Sequence, residues 1–282
     1  MKRILITALA ALAPLLAWAQ SGEEIMKKSQ AAFLYQGKDF KARVLMKLIN
    51  KDGQERVREL TMLRKNAGEP GGDQKYFMVF IQPKDVRDMS FMTYKYPARD
   101  DDRWMFIPAI NMVKRIAAQD KRSSFVGSDF TYEDVSGRDI EDDTHAALRE
   151  EKLGVRDCYV VKSTPREGGG DFGHRLTWVD KSNFLPLKEE QYDRKGTRFK
   201  EFSADEVADV KGFPTVVRRT MKNLQTGHRT EVSYSKTDYE LGIEDSLFSE
   251  RFLRLPSRLA TLEKTRLATT GGRDSSAHLY RD

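Results

Sequence analysis

Strict alternation of apolar and polar positions is the commonest pattern in this chain. Phe40, Ala42, Val44, Met46 and Leu48 interleave with Lys41, Arg43 and Lys47, the period of two expected of a half-buried strand. Similar segments follow at 57–65, 75–82, 89–96, 103–107, 112–116, 157–164, 173–179, 184–192, 197–203, 213–222 and 228–234, separated by turn residues such as Lys51-Asp52-Gly53 and Gln225-Thr226-Gly227. Eleven or twelve short strands at this spacing predict a meandering antiparallel sheet or barrel. The stretch 135–154 is polar and irregular, and a helix is expected within it at 144–152. One segment before the strands has helical periodicity: Ile25, Met26, Ser29, Ala32 and Phe33 share a face, Ser21 and Glu24 form a capping box, and Gly37 follows the end. Its apolar stripe must lie on another element. Leu247, Phe248, Phe252 and Leu253 predict a closing turn or short helix.

Two strands break the alternation. Residues 75–82 and 89–96 are apolar on both faces, so both faces are expected to be covered. Methionine recurs among the inward candidates (Met26, Met46, Met62, Met78, Met92, Met105), and its flexible side chain adapts to irregular apolar partners. Two readings stay open: an ordinary filled core, or a sheet too large to fill itself that leaves a cavity for an apolar ligand.

The N-terminus changes the setting. Lys2 and Arg3 precede an apolar run over 4–17 that is too short to span a bilayer, and Ala17-Trp18-Ala19 is a cleavage signal. A signal peptide over 1–19, cleavage near Ala19/Gln20 and a periplasmic product are expected, with one domain over 20–256 and a mobile tail over 257–282. Loss of Lys2 and Arg3 lowers the net charge from +6 to +4. Basic and acidic residues are mixed along the chain, which argues against a nucleic-acid groove. Cys158 is the only cysteine, so no internal disulfide forms, and its apolar neighbours predict a buried thiol.

No catalytic constellation is present in the sequence. The four histidines (His145, His174, His228, His278) lack metal-ligand spacing, and Gly127-Ser128 lacks the second glycine of a nucleophile elbow. The acidic clusters 100–102 and 141–143 do not fit an EF-hand loop and read as solvated loops. No enzyme activity, cofactor or metal is expected.

The stretch Trp104-Met105-Phe106-Ile107-Pro108-Ala109, then Lys114-Arg115-Ile116, then the run from Ser124 to Asp134 resembles the signature of the LolA-like outer-membrane lipoprotein-sorting proteins. The resemblance extends over about 23–256 and departs at Lys114, where arginine is expected. It implies a curved antiparallel sheet of about eleven strands, an unclosed barrel of LolA/LolB type with helices on its concave side. It also implies a periplasmic carrier that shields lipid or lipoprotein acyl chains beside an inner-membrane RND-type (MmpL-like) exporter. A monomer is expected, and a sensor or adaptor that docks on an exporter without carrying lipid is the alternative. Candidate cavity-lining residues are Met26, Phe33, Val44, Met46, Met78, Met92, Tyr94, Trp104 and Phe106. Lys114, Arg115, Lys121 and Arg122 are candidate contacts for headgroups or a partner, or else ion-pair partners of Asp129, Glu133 and Asp134. Within 104–135, Phe125, Phe130 and Tyr132 are expected to anchor the two halves of the sheet around Gly127.

Overall fold

The computed structural model describes residues 20–255 apart from 70, 98 and 167–171. The expected signal peptide and the C-terminal tail lie outside the described residues. Helix α1 (Gly22–Leu34) comes first, closed by the Ser21/Glu24 capping box. It is followed by β1 (Asp39–Ile49), β2 (Glu55–Ala67), β3 (Asp73–Gln82), β4 (Ser90–Lys95), β5 (Asp102–Ile107) and β6 (Met112–Ile116). A connector over 117–142 then carries two short 3-10 turns and α2 (Tyr132–Ser136). The second run of strands is β7 (Asp143–Leu153), β8 (Arg156–Pro165), β9 (Phe172–Asp180), β10 (Pro186–Asp193), β11 (Arg198–Val210), β12 (Phe213–Asn223) and β13 (Arg229–Tyr239). A 3-10 turn and α3 (Glu250–Arg254) end the described chain.

The strands form one antiparallel sheet of thirteen, in the order β6-β5-β4-β3-β2-β1-β13-β12-β11-β10-β9-β8-β7. The expected curved, unclosed antiparallel sheet is present, with thirteen strands in place of about eleven. Residues 144–152 lie in β7 and not in a helix. Strand β7 is a sheet edge, mostly exposed on both faces, and it carries Arg149, Glu150, Glu151 and Lys152. Edge strands are commonly charged in this way to block further pairing, which hides the alternation and imitates a helical composition.

The pairing of β1 with β13 joins two meanders and leaves β6 and β7, consecutive in the chain, on opposite edges. The connector therefore crosses the inner face of the sheet. Phe125, Phe130 and Tyr132 enter the inner core with Phe40, Val44, Met78 and Phe91, and Phe125 meets Phe91 and Tyr132 edge-on. Asp129 accepts from Thr230 Oγ1 at 2.8 Å and contacts His228 Nδ1 at 2.6 Å. Ser136 and Arg103 meet on Asp101, and Lys95 reaches Asp139 at 2.6 Å. The connector thus anchors both halves, as its aromatic residues suggest.

The outer face of β3–β5 is covered by the last described residues. Leu63, Phe77, Val79, Met92 and Phe106 pack against Ile243, Phe248 and Leu253, and Ser90 Oγ donates to the Leu253 carbonyl. This explains why β3 and β4 are apolar on both faces.

Helix α1 lies across the second half of the inner face. Ile25 packs with Val161 and Val179, and Phe33 reaches both the inner core and the cluster around Leu185 and Val216. Its first turn fits closely because residue 22 is glycine: a Cβ there would lie 2.6 Å from the His145 carbonyl oxygen. Gly22→Ala is expected to lift this end of α1 off β7 and cost about 1–3 kcal/mol, the usual range for overpacking, read as a lower urea midpoint. An unchanged midpoint would contradict this docking.

Candidate functional site

Three hollows lie against α1. The first, of about 40 Å³, is lined by Phe33, Leu34, Arg64, Arg219, Tyr234 and Tyr239 among others. The second, of about 140 Å³, lies under Met26, Gln30, Phe33 and Leu34 and is bounded by Phe130, Phe202 and Met221 with a charged wall. The third, of about 250 Å³, lies between α1 and the loop residues 139–141. Phe33, Leu34 and Arg219 separate the first two, and Gln30, Asp139 and Ile140 separate the last two. Helix α1 is therefore their common wall. Each hollow is smaller than the roughly 300 Å³ at which ligand pockets begin.

A set of side-chain hydrogen bonds holds the exit of α1, among them Tyr35 to the Gly72 carbonyl and Gln36 to the Pro214 carbonyl. Arg64, on β2, donates to the Leu34 and Gln36 carbonyls. Gln74 donates to Leu34 O at 2.8 Å and Asn66 to Tyr35 O at 2.9 Å. Gln30 donates to the Arg138 carbonyl at 2.9 Å. The Arg64, Gln74 and Asn66 bonds engage carbonyls at the C-terminal end of the helix, where backbone acceptors lack partners within it, while the Gln30 bond ties the helix side chain to the connector.

The charged wall of the second hollow is an ion-pair network. Arg138 makes a bidentate contact with Asp143 at 2.9 Å for both bonds and reaches Glu133 at 3.1 Å. Arg175 also donates to Asp143, at 2.5 Å. Burial alone would raise the Asp143 carboxyl. The Arg138 hydrogen bonds and the charges of Arg175 and Arg138 outweigh burial and hold it below the usual carboxylate range. Burial dominates at Asp139, which is raised despite Lys95. The acidic clusters read as solvated loops are therefore partly buried: Asp101 and Asp143 are both engaged by arginines.

The expected cavity-lining residues fall in three places. Met26 and Phe33 line the hollows. Val44, Met46 and Met78 are packed in the inner core. Met92, Tyr94, Trp104 and Phe106 belong to the outer cluster, under the C-terminal segment, and share no surface with the others. The register gives the reason. Phe91 pairs with Met105 and both face inward, so the neighbouring pair Met92 and Trp104 faces outward. Arg115 pairs with Asp102, and Lys121 and Arg122 pair with Glu133 rather than Asp129 or Asp134. Lys114 is exposed on edge strand β6.

Sequence reasoning missed Arg64 and Arg219. Arg64 follows Leu60 and Met62 in inward phase on β2, and Arg219 precedes Met221 in the same phase on β12. A charge in step with apolar positions is the signal that marks both. Among the described residues, no group of His, Cys, Asp or Glu is arranged to hold a metal ion, and no helix is long and apolar enough to cross a membrane. Cys158 is buried and free, and burial pushes its thiol up.

A family model whose description reads "Uncharacterized protein" matches residues 72–255. A domain from Vibrio parahaemolyticus, described as an outer membrane lipoprotein-sorting domain, is 30% identical, with a TM-score of 0.76 over 83% of this chain and 98% of its own. A DUF1329 family protein from Desulfovibrio piger is 26% identical, with a TM-score of 0.76 over 82% of this chain and 97% of its own. A LolA superfamily protein from Nitrosomonas europaea, at 20% identity and a TM-score of 0.65 over 83% of this chain and all (100%) of its own, shares the fold. No curated protein matches the chain.

The Asp143 carboxylate sets a pH dependence. Its folded value lies below its unfolded one, so the stability it contributes is present above about pH 4 and lost as pH falls through the folded value. Asp143→Asn is expected to cost about 3 kcal/mol at neutral pH by leaving Arg138 and Arg175 short of an anion. It should also flatten the acid limb of a urea-denaturation pH profile. An acid limb as steep as in the unmodified protein would contradict this.

Proposed function

The chain belongs to the LolA-like family, and on that premise we propose that it is a non-enzymatic periplasmic carrier that shields acyl chains of a lipid or lipoprotein beneath α1. The observation that carries the reading is that one helix, held at its exit by polar contacts, walls three hollows, two against the inner face and one against loops. Opening such a lid costs about 1 kcal/mol for each neutral hydrogen bond and about 1.5–3 kcal/mol for each Arg64 bond exchanged for water, together with the apolar contacts of Phe33. Acyl burial contributes about 0.8 kcal/mol per methylene, so a chain of ordinary length outweighs the loss of these bonds.

Met26 and Phe33 on the helix, with Phe130, Phe202 and Met221 opposite, form the acyl-contacting wall in this reading. The expected leader over 1–19 delivers the chain to the periplasm, where it acts as a monomer. Lys114 lies exposed on edge strand β6, where it is available to an acidic partner such as a surface of an inner-membrane RND-type exporter; Arg115 beside it is exposed and paired with Asp102.

Native mass spectrometry of protein purified from periplasm is the test. Co-purifying lipid, or saturable uptake of a neutral fluorescent acyl probe after delipidation, is expected. Neither lipid nor probe uptake would overturn the carrier reading and favour an adaptor with a permanently filled interior.

A further inference from the structure

The first hollow has an unusual charge composition. Two guanidinium groups line it, from Arg64 and Arg219, and no carboxylate does. Elsewhere on the inner face the buried cations are matched: Arg138 and Arg175 share Asp143, Arg103 holds Asp101, and Lys95 holds Asp139. Among the described residues no ion pair with a carboxylate is made by Arg64 or Arg219. Instead, each guanidinium stands against aromatic faces. Arg64 lies 5.5 Å from the centre of the Phe40 ring and 5.9 Å from that of Tyr239. Arg219 lies 5.6 Å from Phe33, 5.3 Å from Phe130 and 5.2 Å from Tyr234. Phe40 and Tyr234 are in turn neighbours at 6.0 Å, which links the two groups through one aromatic patch.

The donors are under-used. The Arg64 Nη atoms are spent on the Leu34 and Gln36 carbonyls, and Arg219 Nη2 donates to Tyr234 Oη at 2.7 Å. The Nε of each is buried without a hydrogen-bond partner, as are those of Arg103 and Arg175, so the missing carboxylate is what sets Arg64 and Arg219 apart. Burial pushes the Arg64 guanidinium below its usual range, opposed by Tyr76, Tyr239 and the Asp39 carboxylate, which makes no ion pair with it. Arg64 is buried and Arg219 half-buried; leaving a buried charge unpaired is costly, and an orphaned buried donor costs about 1–3 kcal/mol. Aromatic faces return part of this, about 0.5–2 kcal/mol per contact. The remaining deficit is one that an anion would remove.

Arg219 also borders the second hollow, whose near wall is Phe33, Phe130, Phe202 and Met221. An acyl chain lying there would bring its polar end to Arg219 and the first hollow. We propose that the first hollow is an anionic headgroup site, in which Arg219, with Arg64 behind it, holds the carboxylate or phosphate of a single-tailed or phosphate-bearing amphiphile. The inference deepens the carrier reading and rests on it. It separates two cargo classes that the carrier reading leaves joined. The ester- and amide-linked chains of a lipoprotein carry no charge at the linkage and would leave both arginines unpaired, whereas an acidic lipid would pair them.

The test uses three amphiphiles with the same chain, hexadecanoate, hexadecyl phosphate and hexadecanol, each displacing a neutral fluorescent acyl probe from the delipidated protein. One or both anions are expected to bind about tenfold or more tightly than hexadecanol, the size of a charge-assisted hydrogen bond. A preference for the carboxylate points to a fatty acid, and a preference for the phosphate points to a phospholipid-type head. Arg219→Gln is expected to bring the anions down to the affinity of hexadecanol while hexadecanol binding is kept. Equal binding of all three by the unmodified protein would overturn the headgroup site and leave the carrier reading standing. An anion preference retained in Arg219→Gln would overturn the role of Arg219. Failure of all three and of the probe would overturn the carrier reading itself, and the headgroup site with it.

Discussion

The pairing of β1 with β13 constrains everything else in this fold. It joins two antiparallel meanders at their first and last strands, so the strands on either side of the connector end up on opposite edges. The sheet stays open because its two edges, β6 and β7, do not pair, and the chain between them crosses the inner face. The crossing segment places Phe125, Phe130 and Tyr132 in the inner core and ties itself to both halves by Asp129, Asp139 and Ser136. Half of the concavity is filled by the connector, and the other half is left to α1. The division between a packed region and a hollow one follows from this topology.

The two fillings differ in how they are held. The connector is bound by interdigitated aromatics and buried ion pairs, which are costly to break. Helix α1 is docked by a narrower apolar stripe around Ile25 and Phe33 and by hydrogen bonds to the carbonyls at its exit, two from the Arg64 guanidinium and the others from neutral amides. The weaker attachment belongs to the element that separates the hollows, so the inner face can enlarge there without loss of the main core. The outer cluster under Ile243, Phe248 and Leu253 is independent of this change.

Much of the architecture was legible in the sequence because alternation, turns and the Ser21/Glu24 box are local signals. Strand β7 was not, because an edge strand exposed on both faces has no apolar side to alternate with. Which face of β4 and β5 meets the cavity was also hidden. Both faces are apolar, and the choice between Phe91 with Met105 and Met92 with Trp104 is made by long-range register and by a C-terminal segment more than a hundred residues away in sequence. The inner arginines were in plain view as charges in phase with Leu60, Met62 and Met221. Their meaning required knowing that no carboxylate lines the hollow they share.

The central claim is that α1 is a lid whose displacement merges the hollows around an acyl chain. Pulsed electron paramagnetic resonance measures it most directly, with spin labels at Lys27 on α1 and Lys195 in the β10–β11 turn, both exposed, and Cys158 replaced by serine. Hexadecanol, being neutral, keeps the result independent of any headgroup site. The account predicts a longer or newly bimodal distance when hexadecanol is bound. An identical distance distribution with and without bound hexadecanol would contradict it.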